Sequence, residues 1–306
     1  MKRSKFLQQL LAATAVPVFG QPAIAFANAK AQSTDTPGLL SRGLKTSLNA
    51  YSFNDPLMKG SLKPEELLQF CAEQGFDAID MTGYYFKGYP VIPTDETIFS
   101  FKRKALAHGI AISGTGVRND FTNEDPKLRL LHVDTVKAWI EVAAKLGAPV
   151  LRIFTGLQYP SKELRPKYTQ MVVEHIQQCL EKAKSYGVVL AIQNHHDFIR
   201  ISDEAIEILK AVNSPWLGLV LDIGSYRGDD PFNDIVKSIP YAVNWQIKEK
   251  MFIKGQEQAT DLNRLFKIIN SSSYRGYLPI ETLGAGDPFQ KVPVFLNAVK
   301  AAMSYV

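Results

Sequence analysis

The chain has little cysteine, no long apolar run and no acidic residue before Asp35. Its two cysteines, Cys71 and Cys179, fall far apart in predicted helices, where core packing is favoured over a disulfide or a reactive thiol. The first apolar stretch, from Phe6 to Phe19, is interrupted by two glutamines and is too short to cross a membrane. These deficits argue against a disulfide-stabilised scaffold and against a membrane span in the mature chain.

Residues 1–31 are arranged like an export signal peptide. A basic start of two lysines and one arginine is followed by the apolar stretch and by small-residue cleavage sites, the last at 29–31. The segment RSKFLQQ is similar to a twin-arginine signal with Ser4 in place of the second arginine, which leaves the export route open. A disordered N-terminus is the alternative. We predict a signal peptide at 1–31, a linker at 32–43 and an exported, periplasmic mature protein.

The formal net charge of +5 belongs mostly to this signal. Cleavage after Ala31 would remove four positive charges and leave a mature protein at +1. A protein so close to neutrality has no electrostatic reason to bind nucleic acid or a membrane surface. We therefore expect a small-molecule partner and no nucleic acid, and a homo-oligomer is compatible with the sequence.

Strand-like and helix-like segments alternate from residue 44 onward. The candidate strands are 45–50, 77–81, 110–114, 149–153, 188–192, 217–221, 242–247 and 277–280. The candidate helices are 64–74, 95–108, 127–146, 161–186, 202–213, 232–238, 261–270 and 289–304. Eight such units predict an α/β fold, a (β/α)8 TIM barrel over residues 44–306, and not an open doubly wound sheet. No glycine-rich phosphate loop of the G-x-G-x-x-G kind follows a strand.

Polar side chains end several of these apolar strands, most clearly in VVLAIQNHHDF at 188–198. In a parallel barrel the carboxyl ends of the strands converge on one mouth, where active sites lie. Gln193, Asp222, Gln246 and Glu281 are thereby aimed at one point. An unpaired polar group there would cost several kcal/mol, so these four must pair with each other, with water or with a cation.

Further candidates follow from the same strand ends. We predict catalytic roles for His195 and Lys248 beside Glu281, and substrate binding by Tyr51, Asn119 and Arg152. Structural alternatives stay open for several of them. Arg152 could instead be a structural partner of Asp80 or Asp120. Lys248 could form a surface ion pair with Glu249, and His195 and His196 could belong to a structured loop.

Four strand-end motifs, in this order and spacing, resemble the sugar phosphate isomerase/epimerase family with its xylose isomerase-like TIM barrel. They are AIQNH (191–195), LDIGS (221–225), WQIKE (245–249) and YRGYLPIE (274–281), within a resemblance that covers about residues 44–304. The family patterns are roughly aiEnH, lDxgH, HlKD and a final hE. The resemblance implies that the Glu, Asp, His and Glu of these patterns bind one divalent metal ion and that the two glutamates exchange protons with a sugar carbon.

The chain departs from those patterns at the site itself. Gln193 stands for the first glutamate, Gln246 for the histidine and Ser225 for a second histidine, while Asp222 and Glu281 keep the family's ligand types. An all-oxygen set of this kind favours Mg²⁺, Mn²⁺ or Ca²⁺ over Zn²⁺, and a divalent cation, Mn²⁺ or Mg²⁺, on these two glutamines and two acids is compatible with the sequence. Because an amide takes no proton at neutral pH, Gln193 cannot be a general base, which puts a two-base proton exchange in doubt. Glu281 remains a credible base, and His195 or Lys248 could supply the opposite acid.

These residues lead to one main hypothesis and three rivals. The main hypothesis is a sugar or keto-sugar isomerase or epimerase that removes a proton next to a carbonyl. The rivals are a keto-glycoside lyase or hydratase, a non-catalytic sugar-binding barrel, and a DNA-repair endonuclease on the same kind of barrel. The last is disfavoured because it needs a histidine-rich zinc site, whereas His108, His132 and His175 fall in predicted helices.

Overall fold

The structure is a computed structural model, and it describes residues 43–304. Two predicted segments lie outside the described residues and stay predictions: the signal peptide at 1–31 and the linker at 32–43, of which only residue 43 is described. Within 43–304, no helix is long and apolar enough to cross a membrane.

Eight parallel strands close into a barrel, which confirms the predicted (β/α)8 fold. The strands are β1 (Leu44–Asn49), β2 (Ala78–Thr82), β3 (Ala111–Gly116), β4 (Val150–Ile153), β5 (Val189–Gln193), β6 (Leu217–Asp222), β7 (Ala242–Lys248) and, after a hairpin that contains β8 and β9, β10 (Gly276–Glu281). Around the barrel they follow the order β1, β10, β7, β6, β5, β4, β3, β2 and back to β1. Every neighbouring pair is parallel.

Helices surround the barrel and lie close to the predicted positions. They are α1 (Asn54–Met58), α2 (Pro64–Gln74), α3 (Asp95–Ala107), α4 (Pro126–Leu146), α5 (Arg165–Tyr186), α6 (Ser202–Val212), α7 (Pro231–Ser238), α8 (Leu262–Asn270) and α9 (Pro288–Ser304). The predicted start of α5 at residue 161 was four residues early, because the Ser161 carbonyl accepts from Leu164 and Arg165 in a separate turn. Ser202 is the first residue of α6, as predicted, and its hydroxyl donates to Asp234.

The main apolar core lies between the strands and the helices. Trp139 of α4 and Trp245 of β7 are both fully buried there, with Ile247 beside the latter on the helix side of the same strand. Cys71 and Cys179 are free and buried in this layer, and burial raises the pKa of both thiols. The predicted packing role of the two cysteines is thereby confirmed.

The inside of the barrel is a second, smaller layer that ends in polar residues. Val150, Ala191 and Val220, on three adjacent strands, form an apolar cluster of their own. Side chains of a strand alternate between its faces, so the residues two positions further along point into the same interior. Those residues are Arg152, Gln193 and Asp222, all buried. The alternation therefore carries the polar side chains from the barrel interior to its carboxyl mouth.

A β-hairpin that the sequence analysis missed follows β7 directly. It consists of β8 (Lys250–Ile253) and β9 (Gln256–Ala259), paired antiparallel. The two turn residues, Lys254 and Gly255, have φ values of 51° and 75°. Positive φ at both central residues is the requirement of a tight two-residue hairpin turn, and glycine meets it without strain. The hairpin places side chains over the mouth of the barrel.

A candidate active site at the mouth of the barrel

The predicted strand-end residues meet at one cavity of about 690 Å³ at the carboxyl ends of the strands. Gln193, Gln246, Lys248 and Glu281 line this cavity, and Asp222 lies fully buried beneath them. Each comes from the end of a different strand or, for Gln246 and Lys248, from the same face of β7. The convergence predicted from the sequence is therefore present in the structure.

Asp222 is the centre of the buried hydrogen-bond network. Its Oδ2 accepts from Nε2 of Gln193 at 2.8 Å, from Nζ of Lys248 at 2.8 Å and from the Ser225 hydroxyl at 2.7 Å. Its Oδ1 accepts from the Gly224 amide at 3.0 Å. Burial by itself would raise the pKa of Asp222, but the Lys248 ammonium and the hydrogen bonds outweigh it and hold that pKa below its ordinary value. Asp222 is therefore a fixed negative charge.

Lys248 lies between the two carboxylates of the site. Its Nζ is 2.8 Å from Oδ2 of Asp222 and 3.9 Å from Oε1 of Glu281. Burial would lower the pKa of Lys248, yet the two acids act in the opposite direction and the net shift is upward. The alternative of a surface pair with Glu249 is wrong, since Glu249 pairs with Lys291 at 3.3 Å.

Glu281 ends β10 and faces the cavity from the other side. It is 4% exposed, and its Oε2 accepts a hydrogen bond from the Asn49 amide at 3.2 Å. Burial raises the pKa of Glu281 to about 7, with Lys248 opposing and Asp222 adding to the shift. A carboxylate with this pKa is matched to proton transfer near neutral pH.

The four predicted metal ligands, Gln193, Asp222, Gln246 and Glu281, do not fit a divalent cation as they are arranged. Nε2 of Gln193 donates to Asp222 and, at 2.8 Å, to Oε1 of Gln246. The opposite orientation of this amide would place its oxygen against a carboxylate that only accepts, so the donor assignment follows from Asp222. A hydrogen-bond donor and an ammonium thus fill the positions around Asp222 where a cation needs lone pairs.

His195 lines the cavity beside the network, followed by His196 and Asp197. Its Nδ1 lies 3.0 Å from Oδ2 of Asp197, and its ring meets the Phe154 ring edge-on at 5.3 Å. Burial lowers the pKa of His195 to about 4, so the imidazole is neutral at pH 7. It can donate or accept a hydrogen bond, but it holds no spare proton for general acid catalysis at that pH. Its predicted catalytic role stays a prediction.

Arg152 forms the opposite wall of the cavity from within β4. The guanidinium donates from Nη2 to the Tyr84 hydroxyl at 3.0 Å and lies 4.6 Å from the centre of the Phe154 ring. Asp120 accepts from Thr122, and Asp80 accepts from Asn244 without a direct salt bridge to the guanidinium. Burial opposes the charge of Arg152, but Tyr84 and Asp80 outweigh it and raise the pKa of the guanidinium, so the charges of Asp80 and Arg152 do interact. Within the described residues, Nη1 of the 5% exposed Arg152 side chain has no hydrogen-bond partner. Both roles of Arg152, as a structural partner of Asp80 and as a substrate ligand, stay predictions.

Room for this arginine comes from a glycine on the neighbouring strand. A Cβ atom at Gly116 would lie 2.7 Å from both Nε and Nη2 of Arg152. Real Cβ atoms do not come this close to a neighbouring atom, so glycine is required there for the close approach of the guanidinium to β3.

The structure does not bring Asn119, a predicted substrate ligand, to the cavity. Its side chain is fully buried and does not line the cavity. Its amide nitrogen donates to the Phe154 carbonyl at 2.7 Å, and its oxygen accepts from the Phe154 amide at 2.9 Å. Asn119 thus holds the loop after β4 in place, which is a structural role.

Aromatic side chains form much of the cavity rim, where Tyr51 lies as predicted. Sequence analysis missed several other rim residues, because they come from loops and from the β8–β9 hairpin. Arg227 stacks on Phe252 of the hairpin with its guanidinium carbon 3.7 Å from the ring centre. The short Lys254-Gly255 turn between two alternating segments was the available signal. The missed rim residues are Tyr89, Phe154, Arg227, Phe252 and Glu257.

Solved structures with the same fold include several sugar epimerases. D-psicose 3-epimerase from Clostridium cellulolyticum H10, solved with D-tagatose, is 13% identical, with 85% of this chain and 99% of that chain covered and a TM-score of 0.68. The 3-keto-D-glucoside 4-epimerase from E. coli is 14% identical, with 84% of this chain and 99% of that chain covered and a TM-score of 0.69. An IolI protein with a bound zinc atom is 17% identical, with 84% of this chain and 96% of that chain covered and a TM-score of 0.65. At these identities the likeness shows the fold.

Sequence comparison identifies the family. No curated protein matches the chain. Residues 68–299 match the family model described as a xylose isomerase-like TIM barrel. This segment is more than half of the chain and runs from α2 into α9, so it contains all the strand ends of the site except that of β1. The resemblance seen in the four strand-end motifs is thereby confirmed, and the chain belongs to the xylose isomerase-like TIM barrel family.

Proposed function

We propose that this protein is a sugar isomerase or epimerase that removes a proton next to a carbonyl group, with Glu281 as the base. The observation that carries the proposal is the setting of Glu281: a buried carboxylate that faces a 690 Å³ cavity and is oriented by Asn49. Desolvation makes a carboxylate a stronger base, and a fixed position lets it meet the same carbon in each turnover.

Lys248 supplies the charge that proton removal requires. When a proton leaves the carbon next to a carbonyl, negative charge develops on the carbonyl oxygen, and a nearby cation stabilises it. The ammonium of Lys248 lines the cavity 3.9 Å from Oε1 of Glu281. The base and the cation therefore lie close enough together for Glu281 to remove a proton from a carbon while Lys248 stabilises the oxygen of the adjacent carbonyl group.

The other walls suit a sugar. Arg152 offers donors to hydroxyl or carboxylate oxygens, and Tyr51, Tyr84 and Phe252 present aromatic surface for the apolar faces of a ring. The cavity volume lies within the range of small-molecule sites. Two of the structural neighbours carry the names of sugar epimerases, which supports a sugar or keto-sugar as the substrate class.

A second candidate reaction, elimination from a keto-glycoside, is favoured by one specific observation. The position opposite Glu281 holds the Gln193 amide, whose hydrogens bind Asp222 and Gln246. An amide at neutral pH exchanges no proton, so the site offers one carboxylate base and not two. Elimination and one-base isomerisation each need only one such base.

Product analysis tests both candidates in one experiment. The purified protein is incubated with a panel of aldoses, ketoses and 3-keto-glycosides, and products are separated and weighed by mass spectrometry. Isomerisation or epimerisation gives a new sugar of unchanged mass, whereas elimination gives an unsaturated sugar and a released aglycone. A protein that converts none of them, with and without Mn²⁺, while still binding one, would contradict the proposal and favour a sugar-binding barrel.

A further inference from the structure

The site holds a cation of its own. Nζ of Lys248 lies 2.8 Å from Asp222 and 3.9 Å from Glu281, and its side chain is 13% exposed against 0% and 4% for the two acids. A positive charge between two buried carboxylates is the electrostatic arrangement that a divalent metal ion has at an all-oxygen site. Here the charge is covalently part of β7.

The neighbouring amides are oriented for hydrogen bonding and not for coordination. Both hydrogens of the Gln193 amide are engaged, one by Asp222 and one by Gln246 at 2.8 Å each. The Ser225 hydroxyl donates to the same Asp222 oxygen. A metal ion at Oδ2 of Asp222 would have to displace three donors at once, and each lost charge-assisted hydrogen bond is unfavourable in a buried site.

The local charge count also opposes a metal. Asp222 and Glu281 carry two negative charges when ionised, and Lys248 carries one positive charge. Adding a divalent ion would leave one positive charge in excess in a buried space, whereas the ammonium alone leaves one negative charge. Burying an excess charge of either sign is costly, so a metal offers this site no gain in neutrality.

We propose that the Lys248 ammonium is the permanent cation of this site and that it takes the place of a divalent metal ion between Asp222 and Glu281. Gln193 and Ser225 hold Asp222 in the geometry that fixes the ammonium. The inference goes beyond the proposed reaction, since it concerns what occupies the site before any substrate binds. It predicts that Asp222 and Glu281 do their work with an ammonium, and not a metal ion, between them.

Metal titration of the purified protein tests this inference without a substrate. The chelator-treated protein is titrated with Mn²⁺ by calorimetry, and its thermal midpoint is measured with Mn²⁺ and with EDTA. We expect no saturable binding at Asp222 below about 1 mM, the weak limit of functional divalent sites, and no difference in midpoint. The double variant Gln193→Glu/Lys248→Met, which adds a carboxylate and removes the ammonium, should bind Mn²⁺ at least about 10-fold more tightly.

Lys250→Met is the matched control. Lys250 also lines the cavity, but it pairs with Glu257 of the hairpin at 2.8 Å and is far more exposed. Its loss should leave Mn²⁺ binding as in the unmodified protein. One equivalent of Mn²⁺ on the unmodified protein that Glu281→Gln or Asp222→Asn abolishes would overturn the inference.

Binding that survives both changes but is lost in His196→Ala would belong to His195, His196 and Asp197, whose ligand atoms lie within 4.8 Å of one another. That result would support the inference, because the ammonium would keep its place at Asp222. A failed turnover assay bears on the proposed reaction alone and leaves these metal-binding results unchanged.

Discussion

Nζ of Lys248 and Oδ2 of Asp222 lie 2.8 Å apart at a point where Asp222 is fully buried and Lys248 nearly so. The pair joins two adjacent barrel strands, β6 and β7, directly below the cavity. Since Glu281 is 3.9 Å from the same ammonium, the pair also sets the electrostatic environment of the proposed base. Stability and reactivity are therefore linked through one lysine.

The first prediction concerns the stability of this pair. Lys248→Met should lower the free energy of unfolding by about 3 kcal/mol, because it leaves the buried Asp222 charge without its cation. Urea denaturation measures the change, and Lys250→Met, at the exposed hairpin pair, should alter it far less, because solvent screens that pair. In the double variant Asp222→Asn/Lys248→Met the two losses should not add. Full additivity would show that the two side chains do not interact.

The second prediction concerns the base. Glu281→Gln should lower kcat by at least about 100-fold, the usual contribution of a general base, with little change in the binding of substrate. Glu249→Gln is the matched control, since Glu249 lines the cavity but pairs with Lys291. Steady-state kinetics of both variants decide the matter: equal losses in the two would remove Glu281 from its proposed role.

The third prediction concerns pH. With the pKa of Glu281 raised by burial to about 7, the base is deprotonated only as the pH rises through that value, so kcat/KM should increase across it. A pH–rate profile measures this increase. A flat profile from pH 5 to 9, outside the effects of substrate ionisation, would be incompatible with Glu281 as the base.

Stability should follow the opposite trend from the same group. The folded chain holds the Glu281 proton more tightly than the unfolded chain, where the pKa is about 4.5. This contribution to stability is fully present below that value and is lost as the pH rises through about 7. Comparison with Glu281→Gln, which has no proton to lose, isolates the effect in urea titrations at several pH values.

The fourth prediction separates Arg152 from Asn119. Arg152→Met should raise KM, because it removes the guanidinium from the cavity lining, whereas Tyr84→Phe removes only the hydrogen bond to Nη2 and should have the smaller effect. Asn119→Ala should cost about 2 kcal/mol of stability through its two hydrogen bonds to Phe154. Steady-state kinetics and urea denaturation together test whether Arg152 binds substrate and Asn119 only stabilises the fold. A rise in KM for Asn119→Ala without loss of stability would contradict the structural role of Asn119.

The sequence was sufficient to predict the barrel and the convergence of its strand ends. The helix and strand periods differ clearly along the chain, and the period of two places Gln193, Gln246 and Lys248 on the inner face before any coordinates are known. Parallel strands then bring them to the same mouth whatever the details of the loops.

The partners within the site were not predictable in the same way. Whether Asp222 binds a metal or Lys248 depends on the exact side-chain positions and hydrogen-bond partners, and strand periodicity carries no such information. The position of Asn119 outside the cavity was not predictable for a related reason: its place after β3 is the same for a substrate ligand and for a bond to the Phe154 backbone. The β8–β9 hairpin was missed because its strands have four residues each and β9 is exposed throughout.

Exchange of substrate hydrogen with solvent is the most direct test of the central claim, that Glu281 removes a proton next to a carbonyl. The protein is incubated in D₂O with the sugar that it converts, in EDTA, and deuterium in recovered substrate and product is located by NMR. We predict deuterium at the carbon beside the carbonyl for the unmodified protein and for Glu249→Gln, and none for Glu281→Gln. Conversion without deuterium at that carbon, or equal exchange in Glu281→Gln, would contradict the claim.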